Sequence, residues 1–133
     1  MSEPTQIDAR VVVDPGWVAD HLRHPGVRIV EIDVSSVAYG EGHIPGAALW
    51  NAYADLRYGD YRPVDRAHLE RLLARSGIAR DSTVVVYGYG ASLGFWLMTS
   101  LGHPDVRILD GSRDRWLTAG NTWSTEIPAP GAT

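Results

Sequence analysis

Residues 83–101 read TVVVYGYGASLGFWLMTSL: an apolar β-branched run, a short glycine-containing connection and a helical segment. The run Thr83–Tyr87 is short and rich in valine, which is typical of a strand buried on both faces of a parallel sheet. Gly88 and Gly90 indicate a tight turn, and residues 91–101 predict a helix that ends before Gly102. The stretch as a whole therefore predicts a strand–turn–helix unit.

The same alternation continues on both sides of this unit. Strands are predicted over residues 11–13, 27–33, 47–50 and 106–109, and further helices after Asp14-Pro15, after Asp65 and over residues 113–118. Strands that alternate with helices imply parallel βαβ units with helices on both faces of the sheet. Ligands of such sheets bind beyond the carboxyl ends of the strands, so we expect function in the loops after Asp33 and Tyr87.

Length and charge place the chain in a broad class. The 133 residues fit one domain, predicted over residues 7–127, with flexible termini at 1–6 and 128–133. The formal net charge of −4 lacks the basic surplus of nucleic-acid binders. No apolar run approaches the roughly 18 residues of a membrane span, and no signal-like segment opens the chain. We expect a soluble cytoplasmic protein that binds neither nucleic acid nor membrane.

The chain contains no cysteine. This excludes disulfides, thiolate metal sites and thiol nucleophiles. No second histidine lies at metal-ligand spacing from His43, so we predict neither a metal nor a cofactor.

Three segments carry a resemblance to a known family. They are YGEGHIPGA at residues 39–47, the strand and turn that begin at Val84, and LGHPDVRILDGSRDRW at residues 101–116. The last is close to GH-x-x-VR-x-LDGG-x-x-x-W, the pattern of the rhodanese-like sulfurtransferases, and the whole arrangement resembles that family over roughly residues 11–122. Residues 42–50 and 55–57 look most like the non-catalytic N-terminal half of two-domain thiosulfate or mercaptopyruvate sulfurtransferases.

The resemblance implies a five-stranded parallel α/β sheet and an active-site loop that starts with Cys directly after the strand Thr83–Tyr87. Here that loop reads Gly88-Tyr89-Gly90-Ala91-Ser92 and is shorter than the family's usual one. Persulfide chemistry requires a polarizable thiolate, which no hydroxyl or phenol replaces. The chain is therefore predicted not to be a competent sulfurtransferase, and the short loop also argues against phosphatase-like chemistry.

The backbone amides of Gly88, Tyr89, Gly90, Ala91 and Ser92 open a helix, and helix N-termini attract anions. Glycines at 88 and 90 would let a ligand approach the backbone closely. These residues are predicted to bind a ligand or anion, although the loop could instead be a tight structural turn over a filled pocket.

Residues 90–94 also satisfy G-x-S-x-G, which would make Ser92 a nucleophile. The only later histidine, His103, would lie about 16 Å away by helical rise. Capping of the helix by Ser92 is therefore the favoured interpretation.

Two further groups complete the candidate site. Asp33 ends its strand beside the loop, where it caps the following turn or serves as a general base, with Tyr89 or Ser92 as hydrogen-bond partner of a substrate. Trp50, Tyr53 and Arg57 form a wall for a planar or anionic ligand, a partner surface rich in Tyr and Arg, or an irregular packed loop. Glu31, inside the strand before Asp33, should have an arginine partner.

Three functions are open from the sequence. The leading hypothesis is a domain that binds a small molecule, an anion or a protein at the shortened loop. The alternatives are an enzyme recruited to non-sulfur chemistry (hydrolase, lyase or cyclase type) on a small organic substrate, and a silent subunit of a two-chain sulfurtransferase.

Overall fold

The computed structural model describes residues 11–60 and 62–127, so the predicted flexible termini lie outside the described residues. The sheet has five strands: β1 (Val12–Val13), β2 (Val27–Asp33), β3 (Ala48–Asn51), β4 (Thr83–Tyr87) and β5 (Val106–Leu109). Their order is β1-β5-β4-β2-β3, and every pairing between them is parallel. The predicted five-stranded parallel sheet is thus confirmed.

Five helices accompany the strands: α1 (Pro15–His21), α2 (Val37–Glu41), α3 (Arg66–Arg75), α4 (Ala91–Ser100) and α5 (Ser112–Thr118). Two begin as the sequence predicts. The Asp14 carboxylate accepts a hydrogen bond from the Trp17 amide at 2.8 Å, and Asp65 does the same for His68 at 2.9 Å. The short helix α2 was not predicted, because its sequence VAYGE contains a glycine and no apolar stripe.

Apolar side chains form one core on each face of the sheet, as expected for a parallel sheet covered on both sides. Val84 and Val86 of β4 pack with α3 and α4 on one face. Val85 and Tyr87 point to the other face, where α1 and α5 cover them. Because β4 lies at the centre of the sheet and is fully buried, its carboxyl end fixes the position of the following loop.

The GHIPGA turn is held by a buried histidine. The His43 ring stacks on Tyr39 and lies 2.9 Å through Nδ1 from the Tyr39 carbonyl oxygen and 2.6 Å through Nε2 from that of Glu126. His43 is fully buried, so both ring nitrogens serve backbone contacts. This arrangement supports a structural role for the histidine, which joins the turn to residues 124–126.

Within the described ranges, no helix has the length and apolar character that crossing a membrane requires.

Candidate functional site

The ends of β2, β4 and β5 meet at one edge of the sheet, called here the carboxyl edge. Asp33 ends β2, Gly88 follows β4, and Gly111 follows β5 just before α5. A cavity of about 290 Å³ opens between them, named here the carboxyl-edge cavity. It is lined by Asp33, Gly88, Tyr89, Gly111, Ser112, Arg113 and Asp114. This is the place where the fold predicts a ligand site.

The loop that follows β4 is contracted onto β2. Only Gly88, Tyr89 and Gly90 separate β4 from α4. Gly88 has φ +101°, and a Cβ built there would lie 2.7 Å from the Ile32 carbonyl oxygen. A Cβ on Gly90 would lie 2.7 Å from Ile32 Cγ2. The side of each glycine that lacks a Cβ therefore faces Ile32 rather than an open ligand site.

Several amides of this loop already donate hydrogen bonds within the protein. The Gly88 amide donates to Ser112 Oγ at 2.7 Å. The Gly90 amide donates to the Ile32 carbonyl at 2.8 Å, and the Ala91 amide to the Gly88 carbonyl at 3.2 Å. An amide that donates inside the protein is not available to an incoming anion without breaking that bond. The predicted anion site would therefore have three of its five amides committed.

Ser112 is a residue that the sequence analysis missed. It occupies the second glycine position of the LDGG pattern and has φ +53°, a conformation that favours glycine. Its hydroxyl accepts the hydrogen bond of the Gly88 amide. A glycine at this position would have no side chain to do so. The mismatch with the family pattern was the signal in the sequence.

The three predicted catalytic residues differ in their surroundings. Asp33 Oδ1 accepts a hydrogen bond from the Val34 amide at 2.7 Å, which is the predicted capping of the turn. Tyr89 is 78% exposed and lines the carboxyl-edge cavity with Asp33. Ser92 is exposed in the first turn of α4, whose N-cap is Gly90 without a side-chain hydrogen bond. The prediction that Ser92 caps this helix was wrong, because the helix begins at a glycine packed on β2.

His103 does not meet Ser92. It follows α4, whereas Ser92 lies at the start of that helix, and its Nε2 contacts the Ser82 carbonyl oxygen before β4. The G-x-S-x-G pattern therefore has no histidine partner near it among the described residues.

The predicted aromatic wall divides into two environments. Trp50 is fully buried, and its indole N–H donates to Ser76 Oγ at 2.8 Å. Tyr53 and Arg57 instead line a second cavity of about 520 Å³ beyond β2 and β3. The other residues around that cavity are Val34, Asn51, Ala54, Tyr58 and Gly59. Two of the three wall residues thus line an open cavity, while Trp50 packs in the core.

A largely buried ion pair, Glu31–Arg113, connects the elements that form the carboxyl edge. Glu31 in β2 is fully buried, and its Oε1 lies 2.6 Å from Arg113 Nη1. Arg113 Nη2 also donates to the carbonyl oxygens of Gly42 and Ala38, and its guanidinium lies over the Trp123 ring. This confirms the predicted arginine partner and identifies it as Arg113. The pair joins β2, α5 and the GHIPGA turn.

Burial dominates the electrostatics of this pair. It raises the pKa of Glu31, against the opposing hydrogen bond from Tyr87 and the positive charge of Arg113. Burial and the adjacent Glu31 carboxylate also raise the pKa of Tyr87, so its phenol remains protonated. Among the described residues, Glu31 Oε2 is the only buried side-chain oxygen or nitrogen without a hydrogen-bond partner. The pair therefore holds the edge together at a desolvation cost.

Comparisons with known proteins agree with this architecture. The family model described as "Rhodanese-like domain" matches residues 14–119. The chain is 37% identical over 128 residues to the sulfur carrier protein TtuD of Thermus thermophilus, covering 90% of this chain and 44% of that protein. It is 37% identical over 122 residues to a thiosulfate sulfurtransferase of Corynebacterium glutamicum, covering 88% and 40% respectively. The chain thus spans less than half the length of these relatives.

Solved structures share the fold. The chain superimposes on the crystal structure of YnjE with a TM-score of 0.80 and 28% identity, over 90% of this chain and 32% of that one. It also matches the crystal structure of SseA from Escherichia coli, a 3-mercaptopyruvate sulfotransferase, with a TM-score of 0.79 and 22% identity. That match covers 90% of this chain and 52% of SseA.

Proposed function

The chain belongs to the rhodanese-like domain family, and we propose that it serves there as a recognition domain that carries no sulfur. Its partner is a rhodanese-like domain that has the active-site cysteine, and the contact surface is the carboxyl edge of the sheet. Whether that partner is encoded with it or separately does not change the surface or the chemistry.

The observation that carries this proposal is the contracted loop. Sulfur transfer in the resembling family requires a cysteine within a loop whose amides face the sulfur-bearing anion. Here the cysteine is absent, Ile32 fills the space beneath Gly88 and Gly90, and Ser112 accepts the first amide of the loop. A single exchange of Cys for another residue would leave the loop's amides free, whereas here the loop is packed on β2 and its first amide is bonded to Ser112.

The choice of partner rests on coverage and surface chemistry. The relatives are more than twice as long as the matched region. In the sequence, residues 42–50 and 55–57 resemble the half without the cysteine. The carboxyl edge exposes large apolar side chains, with Val34 41%, Tyr53 51% and Tyr89 78% exposed. Exposed tyrosines are enriched at protein interfaces, since they combine a large apolar area with a hydrogen-bonding hydroxyl.

A catalytic role on a small organic substrate has weaker support. Asp33 already accepts the Val34 amide, and Ser92 lies exposed with no histidine near it among the described residues. A small ligand that used the Gly88 amide would need to displace the Ser112–Gly88 hydrogen bond.

Titration calorimetry tests the proposal. A separately produced, cysteine-bearing rhodanese-like domain from a thiosulfate sulfurtransferase is titrated into the chain. We expect saturable binding that Tyr89→Ser and Tyr53→Ser each weaken by about tenfold or more, the loss typical of an interface aromatic. Leu117→Ser is the matched control, because Leu117 is similarly exposed (50%) in the last turn of α5, away from the carboxyl edge.

The control variant should bind like the parent. The absence of saturable binding, or equal weakening by Leu117→Ser and the two tyrosine variants, would refute the proposed partner surface.

A further inference from the structure

We propose a second site, independent of the function proposed above, at the opposite edge of the sheet: a cavity that binds a small carboxylate with an apolar body. This amino-edge cavity measures about 290 Å³ and lies between α3, the segment before β4 and the turn from α4 to β5. Its volume lies just below the range usual for drug-sized ligands, so it suits a small molecule.

Aliphatic side chains form the body of the cavity. Leu69 and Ile78 are buried at its base, and the half-buried Leu73 and Leu101 extend the apolar surface toward solvent. Covering this surface with an apolar group is favourable because it removes apolar area from water. The cavity therefore suits the apolar part of a ligand.

Two arginines supply positive charge at the rim. Arg66 and Arg80 are both exposed, and neither forms an ion pair with another residue in the part of the chain that the structure describes. Arg66 lies across Gly102, where a built Cβ would be 3.4 Å from its Nη2 atom. Glu70 also lines the cavity, so the two arginines leave the rim with a net positive charge. Guanidinium groups bind carboxylates with paired hydrogen bonds.

His103 adds a polar atom at the base. The residue is only 9% exposed, and its Nε2 lies 2.8 Å from the Ser82 carbonyl oxygen. A carbonyl oxygen only accepts hydrogen bonds, so Nε2 must carry a proton. Nδ1 has no hydrogen-bond partner among the described residues. It is also accessible to solvent, since Glu31 Oε2 is the only fully enclosed side-chain nitrogen or oxygen among these residues that lacks a partner.

These features select the class of ligand. An uncharged apolar molecule would leave both guanidinium groups without a partner, and a strongly hydrophilic anion would leave the leucine surface exposed. A carboxylate on a short aliphatic or aromatic body satisfies both parts of the cavity. Octanoate is therefore a suitable probe, with octanol as its uncharged counterpart.

The test follows amide and methyl resonances of the chain by NMR during titration with octanoate. We expect saturable shifts confined to α3, Ile78 and residues 101–103. The double variant Arg66→Gln/Arg80→Gln should weaken binding by about tenfold or more, since two charge-assisted contacts are lost. Arg71→Gln is the matched control, because Arg71 is exposed on the same helix but does not line the cavity.

Melting temperatures of all three proteins establish that the variants are folded. The proposal is overturned by any of three results: no saturable shifts with octanoate, equal affinity for octanol, or equal affinity of the double variant and the parent. None of these results bears on the carboxyl edge, because the residues concerned lie at the other end of the strands.

Discussion

At the carboxyl edge of the sheet, the groups that a ligand could contact are already engaged within the protein. Ile32 packs against Gly88 and Gly90, Ser112 accepts the Gly88 amide, and Glu31 pairs with Arg113. At the amino edge, by contrast, Arg66 and Arg80 form no ion pair with any described residue. The first edge is where a parallel sheet usually binds its ligand. The second edge is usually structural.

The difference shows that position in a fold does not by itself identify a working site. A candidate site has to be judged by whether its hydrogen-bonding groups are still available. By that criterion the loop after β4 is packed on β2, and the amino-edge cavity is the place where we propose a ligand.

The largest expected effect compares two arginines. Arg113→Gln should lower the free energy of unfolding by about 4 kcal/mol at neutral pH, because it leaves the Glu31 carboxylate buried without a counterion. Arg66→Gln should change it by less than about 0.5 kcal/mol, as expected for an exposed side chain without an ion pair. Chemical denaturation of both variants provides the measurement.

The effect of Arg113→Gln should depend on pH. The folded state holds the Glu31 proton more tightly than the unfolded state, whose pKa is near the ordinary value of 4.5. In the parent, the contribution of Glu31 to the free energy of unfolding is therefore fully present below about pH 4.5. It falls as the pH rises from there through the raised pKa of the folded state. The destabilisation by Arg113→Gln should become smaller on acidification. Glu31→Gln should abolish the part of the pH dependence of stability that Glu31 causes, with little loss of the free energy of unfolding at neutral pH. Equal destabilisation by Arg113→Gln at all pH values would contradict this account.

The next effect compares two glycines that both have positive φ. Gly88→Ala should cost about 3 kcal/mol, because the new Cβ meets the Ile32 backbone in addition to the unfavourable φ. Gly102→Ala, with φ +96°, places its Cβ against the end of the flexible Arg66 side chain and should cost about 1 kcal/mol. Thermal unfolding measures both. Similar losses at the two positions would mean that the loop after β4 is not packed on β2.

A smaller effect than that of Gly88→Ala is expected for the Ser112 hydroxyl, which accepts a hydrogen bond from the loop. Ser112→Ala removes the acceptor of the Gly88 amide while keeping the positive φ, and it should cost about 1 kcal/mol. The amide hydrogen of Gly88 should then exchange faster with solvent. Unchanged exchange at Gly88 in the variant would show that Ser112 does not occupy this amide.

Much of the fold was predictable from the sequence because local signals agreed with the tertiary structure. The valine-rich run Thr83–Tyr87 forms the buried central strand, and Asp14 and Asp65 cap the helices that follow them. These features depend on side chains close in sequence, where periodicity and capping chemistry are informative.

The candidate site was predictable only in part, because its geometry depends on contacts distant in sequence. Asp33 and Tyr89 share a cavity as their strand ends suggested, but the packing of Ile32 against Gly90 joins two separate strands and leaves no local pattern. Trp50 was predicted to line a ligand wall, but the alternation of side chains along β3 points it into the core. The cap assigned to Ser92 failed for a related reason, since α4 begins at Gly90, where contact with β2 replaces a side-chain cap.

The central claim is that the packing of the loop, and not only the missing thiol, closes this edge to sulfur transfer. Tyr89→Cys tests it most directly, because position 89 is exposed and accepts a thiol without the backbone clash expected at Gly88. After incubation with thiosulfate, intact-mass spectrometry should show no added sulfur atom on the variant, and thiocyanate formation from cyanide should stay at the level of the cysteine-free parent. A persulfide adduct on Cys at position 89 together with thiocyanate formation above that level would contradict the account.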